Sequence, residues 1–179
     1  KLQESGVKVT VAYNEIWPLT LMGKVKEKSG LSFKVEKGLR TYRYKNYNFI
    51  PKHPLMFNIF DKRMEKLYKE VVEKEGKVDI IHAQSSLWGG ISAAYVAKKY
   101  NIPLVITEHS SVKRGAYVRE SYYKRIIDSY KSADKIIAVG NGLKKEIEEL
   151  SERKDIKVIG NLVDLSLFDI RNINKETNE

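Results

Sequence analysis

Two short runs are apolar throughout, Leu104-Val105-Ile106 and Ile136-Ile137-Ala138-Val139, and a segment of helical pattern follows each. A strand that is apolar on both faces offers nothing to water, so it belongs in a sheet covered on both sides. Parallel strands joined by crossover helices meet that condition. The alternation runs on from Val78. Val78–Ala83, Pro103–Thr107, Asp134–Val139 and Ile156–Ile159 read as strands, and Gly90–Tyr100, Arg119–Ser132 and Gly142–Ser151 as the helices between them. Upstream, Val7–Tyr13 alternates as a strand should, and Leu31–Val35 and Leu39–Tyr44 are further strand candidates. Pro54–Glu75 is a helix candidate: Met56, Ile59, Phe60, Met64, Leu67, Tyr68, Val71 and Val72 recur at helical spacing, and Gly76 closes it. The expected fold is α/β, a Rossmann-like three-layer α/β/α arrangement around a mostly parallel sheet.

Lys1–Ser5 reads as the end of a helix, with Gly6 as its stop. In the doubly wound order the strand before such a helix is central, and without it the sheet has a gap. Either upstream residues supply that strand, or the sheet closes differently.

A length of 179 residues suits one domain with a real core. The absence of cysteine excludes a disulfide framework and a thiolate metal site, which fits a reducing compartment. No run approaches the ~20 apolar residues of a membrane span, and Lys1–Gly6 has no signal-peptide core. The net charge of +10 favours an anionic partner, whether lipid headgroup, phosphate or nucleic acid; a solvated lysine-rich surface is the plainer account. The basic excess is sharpest from Phe33 to Lys52, where Tyr42, Tyr44 and Tyr47 interleave with cations, as suits a membrane interface or a polyanion.

Ligands of open α/β sheets lie outside the carboxyl ends of the strands. Polar and small residues gather there: Gln84 to Gly90, Glu108 to Ser111, Gly140 to Gly142, and Gly160-Asn161. Backbone N–H groups around Ser85, Ser86, Gly89 and Gly90 are candidates for an anion or a sugar hydroxyl, with plain N-capping as the alternative. Trp88 is a stacking surface for a sugar or acyl chain, or a core plug. Lys113, Arg114 and Arg119 are candidates for an acceptor phosphate, or surface charge. His82 reads first as a buried, satisfied imidazole, with a direct role as the lesser alternative, and His53 lies in a Pro-flanked loop. Gly140-Asn141-Gly142 lacks the third glycine of a dinucleotide loop, since position 145 is Lys. There is no P-loop, no Gly-x-Ser-x-Gly elbow, no paired-His metal spacing and no nucleic-acid motif.

Four segments together resemble a known family. Lys157–Phe168, with its Gly160-Asn161 turn, Asp164 and Phe168, resembles the Pro-Asn-Gly-Val-Asp turn and following Phe at the end of the first domain of GT-B, group 1 retaining glycosyltransferases. Asp79–Gln84 resembles their Asp-x-x-His-x-His, Ile102–His109 their Ile-Pro-x-Val-x-Thr-x-His, and Ala133–Val139 their Ala-Asp-x-Ile-Ile-Ala-Val-Ser. Departures are Gln84 for the second His, Gly140 for Ser, Gly160 for Pro and Leu162 for Gly. The family's Gly-rich loop after the first strand has no counterpart.

The resemblance implies an N-terminal domain over 1–164, the start of an interdomain linker over 165–179, and a partner C-terminal nucleotide-sugar domain outside this chain. It implies that His109 lies at the cleft floor near the transferred sugar. A neutral imidazole there bonds a sugar hydroxyl; a cation offsets leaving-group phosphate. Ser85, Ser86, Trp88, Gly89, Lys113 and Arg114 would meet the acceptor, and Gly140, Asn141, Asn161 and Asp164 would line the cleft or junction. The expected donor is a UDP- or GDP-sugar bound without metal, and the acceptor a saccharide or lipid-linked sugar of cell-surface polysaccharide or glycolipid synthesis. The expected location is cytoplasmic, or peripheral at the inner membrane face, with no nucleic-acid partner and no activity in this chain alone. The alternative is a non-catalytic α/β module that binds anionic lipid or glycan.

Overall fold

The computed structural model describes residues 3, 5–113 and 118–163. In chain order the elements are β1 (Thr10–Trp17), β2 (Gly30–Glu36), β3 (Leu39–Tyr47), α1 (Met56–Glu75), β4 (Ile81–Gln84), α2 (Ile91–Tyr100), β5 (Leu104–Glu108), α3 (Tyr123–Ser132), β6 (Lys135–Ala138), α4 (Asn141–Ser151) and β7 (Lys157–Val158). The alternation read from the sequence is recovered element for element, as an α/β, Rossmann-like domain.

Among the described residues the strands form two sheets. β4-β5-β6-β7 is parallel throughout, and β1-β3-β2 is mixed, with β1 parallel and β2 antiparallel to β3. Among the described residues the two sheets are not joined, and β1 and β4 are each an end strand of their sheet. Ile16 of β1 and Ile81 of β4 nevertheless pack on the same core. The β2–β3 hairpin turns on Lys37 (φ 48°) and Gly38 (φ 79°), both left-handed, which is the two-residue turn whose twist matches the strands it joins.

β1 begins three residues later and ends four later than its sequence pattern. Polar Asn14 and Glu15 stay in the strand because β3 holds it in register from Thr10↔Arg40 to Trp17↔Tyr47. Asn14 Nδ2 also donates to the Phe60 carbonyl (3.2 Å), and Trp17 Nε1 donates to Glu15 (3.0 Å). Of the segment read as a helix end, Lys1, Leu2 and Glu4 lie outside the described residues; Gly6 has φ 80° and donates to the Gln3 carbonyl.

α1 buries Met56, Phe57, Phe60, Leu67 and Val71 along one stripe. His53 serves its start, accepting from the Leu55 N–H (3.2 Å), and Gly76 ends it at φ 89°. The main core joins Phe57 and Phe60 to Ile106, Ile126, Tyr130, Ile136 and Ile147. Each such fully buried aliphatic or aromatic side chain contributes roughly 1.5–3 kcal/mol, which is what holds the parallel strand ends in place.

Candidate functional site

The end of β5 is built around a buried carboxylate. Glu108 is 1% exposed. Its Oε2 accepts from the Ser86 N–H (2.8 Å) and the Tyr130 hydroxyl (2.9 Å), and its Oε1 from the His109 N–H (3.2 Å). These three donors offset the cost of burying the charge. With that one phenol proton on Glu108, Ser86 Oγ donates to the Tyr130 oxygen (3.0 Å); burial and the neighbouring carboxylate push the phenol well above the usual tyrosine range. One carboxylate thus ties β5 to the segment after β4 and to α3.

The segment after β4 is tightly constrained. Ser85 has φ 62°, which an L-residue adopts only when its surroundings hold it there. Its N–H donates to the Thr107 carbonyl (2.8 Å), and a single π-helical turn, Ser86–Gly90, leads into α2. A Cβ on Gly89 would lie 2.8 Å from the Gln84 carbonyl oxygen, so only glycine fits. The turn presents Trp88, 45% exposed, with one side of its indole against Phe57 and Phe60 at centroid distances of 6.3 and 6.1 Å.

Two imidazoles at the strand ends are joined through Gln84. His109 Nε2 lies 2.7 Å from Gln84 Oε1, Gln84 Nε2 lies 3.2 Å from His82 Nε2, and His82 Nε2 lies 2.7 Å from Thr107 Oγ1. His109 is exposed. Desolvation, and secondarily the nearby His109, hold the His82 imidazole below the usual histidine range. Beyond His109, Glu146 of α4 accepts from Ser111 Oγ and the Val112 N–H (both 2.6 Å) and from the Lys113 N–H (2.9 Å), which fixes the loop. Among the described residues no group of three or more His, Cys, Asp or Glu is placed to hold a metal.

The parallel sheet thus carries an exposed His after β5, a Gly-dependent turn after β4, and exposed Asn141 and Asn161 beside the ends of β6 and β7. Residues 1–167 match the family described as Glycosyltransferase Family 4. The chain belongs to glycosyltransferase family 4. It is the N-terminal domain type of a GT-B glycosyltransferase. It is also similar to a Bacillus subtilis (strain 168) protein named as a teichuronic acid biosynthesis glycosyltransferase, TuaC, with 26% identity over 157 residues. That match covers 84% of this chain and 40% of the relative, so the chain spans well under half the relative's length.

Within this family 4 domain the structure brings together His109, Ser85, Ser86, Trp88 and Gly89, and gives several of them narrower roles than the sequence suggested. The amides of Ser85 and Ser86 are not free for an outside anion. Thr107 and Glu108 already accept from them, and Ser86 is 1% exposed. The protein's own carboxylate fills the place expected for a ligand. Lys113 Nζ is paired with Glu149 of α4 (2.5 Å). Gly140 precedes α4, and Asn141 and Asn161 are exposed beside the ends of β6 and β7. Arg114 and Asp164 lie outside the described residues. The basic region also reads differently: Arg40 pairs with Glu75, Arg43 with Glu36 and Glu15, and Lys45 with Glu27, so much of that charge is neutralised locally.

Sequence reasoning missed Glu108, Tyr130 and Glu146 as supports of the site, and saw Gln84 only as a departure from the family pattern. A carboxylate closing an otherwise apolar parallel strand was the available signal for Glu108. Tyr130 and Glu146 sit on helices whose pattern points only to amphipathic packing.

Proposed function

We propose that this domain is the acceptor-side half of a retaining glycosyltransferase that moves a sugar from a UDP- or GDP-sugar to a saccharide or lipid-linked acceptor in cell-surface polysaccharide or glycolipid synthesis. The observation that carries this reading is the exposed His109 at the carboxyl end of β5, its ring held from behind by Gln84. In this reading His109 bonds a hydroxyl of the transferred sugar, Trp88 stacks on the acceptor, and Gly140, Asn141 and Asn161 face the cleft. Ser85, Ser86 and Gly89 act by shaping the turn that carries Trp88. A C-terminal domain supplies the groups that hold the nucleotide, and the chain alone does not turn over. The biosynthetic role in the relative's name agrees with a surface-polymer product.

Exposed Leu19, Leu21, Met22, Phe49 and Leu55, accompanied by exposed Lys24, Lys26, Lys28 and Lys52, support peripheral attachment to an anionic membrane, where apolar side chains enter the interface and cations meet headgroups. No helix among the described residues is long and apolar enough to cross a membrane.

The test uses the full-length gene product with a panel of UDP- and GDP-sugars and lipid-linked or free saccharide acceptors, with product detected by mass. His109→Ala is expected to lower kcat by about 10²–10³, the usual loss for one polar group that meets charge in the transition state. Unchanged turnover in the variant sinks the role of His109. Glycan or anionic-vesicle binding without turnover by the full-length protein favours the non-catalytic module.

A further inference from the structure

We infer that Gln84 is a positioning residue that sets the tautomers of both imidazoles, holding His109 as Nε2–H and His82 as Nδ1–H, so that Nδ1 of His109 is the ring atom left to accept a hydrogen bond. An amide has one accepting and one donating end, and Gln84 turns one toward each ring. Its Oε1 lies 2.7 Å from His109 Nε2, so that nitrogen must carry the proton it donates. Its Nε2 lies 3.2 Å from His82 Nε2, so that nitrogen must offer its lone pair. Thr107 Oγ1, 2.7 Å from the same His82 nitrogen, is then a second donor to that lone pair. His82 is left with its proton on Nδ1. The three contacts form one consistent chain, Thr107 and Gln84 donating to His82, and His109 donating to Gln84.

The assignment at His82 is the informative half. A free histidine side chain prefers Nε2–H, so an Nδ1–H ring requires something that enforces it. Desolvation, which disfavours the cation at His82, agrees with a neutral, accepting ring. Among the described residues none hydrogen-bonds Nδ1 of His109, which leaves that lone pair for a ligand hydroxyl. That the ligand hydroxyl belongs to a sugar rests on the glycosyl-transfer reading; the tautomers do not.

Two-bond ¹H–¹⁵N correlation spectra of the ¹⁵N-labelled 179-residue chain read the tautomers directly, with no substrate or partner needed. His53→Gln, His82→Gln and His109→Gln variants assign the three signals. The expected spectrum has His82 as Nδ1–H and His109 as Nε2–H. In Gln84→Glu, an acceptor at both ends, His109 should stay Nε2–H while His82 switches to donating from Nε2. In Gln84→Ala, His82 should revert to majority Nε2–H. The opposite pair in the unmodified chain, His82 as Nε2–H with His109 as Nδ1–H, overturns the inference, as does a His82 signal that does not respond to either substitution. A failed turnover assay alongside the expected spectrum overturns only the glycosyl-transfer reading.

Discussion

The Tyr130 hydroxyl on α3 donates to the Glu108 carboxylate at the end of β5 over 2.9 Å, and both side chains are closed off from water, at 0% and 1% exposure. Because Glu108 also holds the Ser86 and His109 amides, this contact joins the core to the rim where the candidate site lies. Tyr130→Phe keeps the ring and removes one donor to a buried charge. It is expected to cost roughly 1.5–3 kcal/mol, measured as a lower urea midpoint with unchanged slope. Glu108→Ala, which strands several donors and leaves a cavity, should cost more than Tyr130→Phe. Equal stability of all three proteins would mean that the carboxylate is not holding these donors.

Gly89 is fixed by proximity and not by a special backbone angle. With a Cβ position 2.8 Å from the Gln84 carbonyl oxygen, Gly89→Ala must push the turn away from β4. The expected loss is about 1–3 kcal/mol, the usual range for overpacking. The displaced segment carries Trp88, so the emission of that indole should shift in the same variant. A Gly142→Ala control, where an added Cβ meets nothing within 4 Å, should leave emission unchanged.

Acid sensitivity should centre on Glu65 of α1. Lys99 Nζ donates to it at 2.9 Å, and the hydroxyls of Tyr95 and Tyr100 donate at 3.0 and 3.1 Å. Chiefly through the Lys99 bond, its carboxyl is held down at about 2, against an ordinary 4.5. A group depressed on folding contributes stability above its unfolded value and loses it as pH falls toward its folded one. The melting temperature should therefore drop as pH falls from about 4.5 toward about 2. Glu65→Gln should melt lower at neutral pH and show a shallower acid slope. A parallel acid slope in the variant would assign the sensitivity to other carboxylates.

The β4–β7 half was legible because the central strands β5 and β6 contain short apolar runs and a segment of helical periodicity lies between each pair of successive strands. Local periodicity was enough there. β1 was harder. Asn14 and Glu15 look like the start of a turn, and only a pairing partner distant in sequence, β3, keeps them extended. The candidate site was legible as places but not as contacts. Ser85 and Ser86 were visible as a helix start, yet the anion at that start is Glu108, whose approach depends on how β5 and α3 pack. Lys113 had the look of a phosphate ligand until α4 brought Glu149 to it. Such pairings are set by tertiary geometry that no spacing along the chain records.

The two tryptophans report on separate parts of the molecule. Trp17 is buried at 7% exposure beside Tyr47, with ring centroids 5.3 Å apart, whereas Trp88 is 45% exposed at the rim. If Trp88 offers a free indole face, iodide should quench its emission while leaving that of Trp17 nearly untouched. Trp88→Phe should then abolish most of the quenching, and Trp17→Phe should leave most of it. Trp88→Phe is expected to change stability by less than about 1.5 kcal/mol, because an aromatic ring still meets Phe57 and Phe60. If the proposed acceptor stacks on Trp88 in the full-length protein, it would shield the same face, so quenching in the Trp17→Phe protein should fall as acceptor is added. Quenching carried by Trp17, or a Trp88 signal that iodide cannot reach, would show this face to be covered and remove it from the acceptor site.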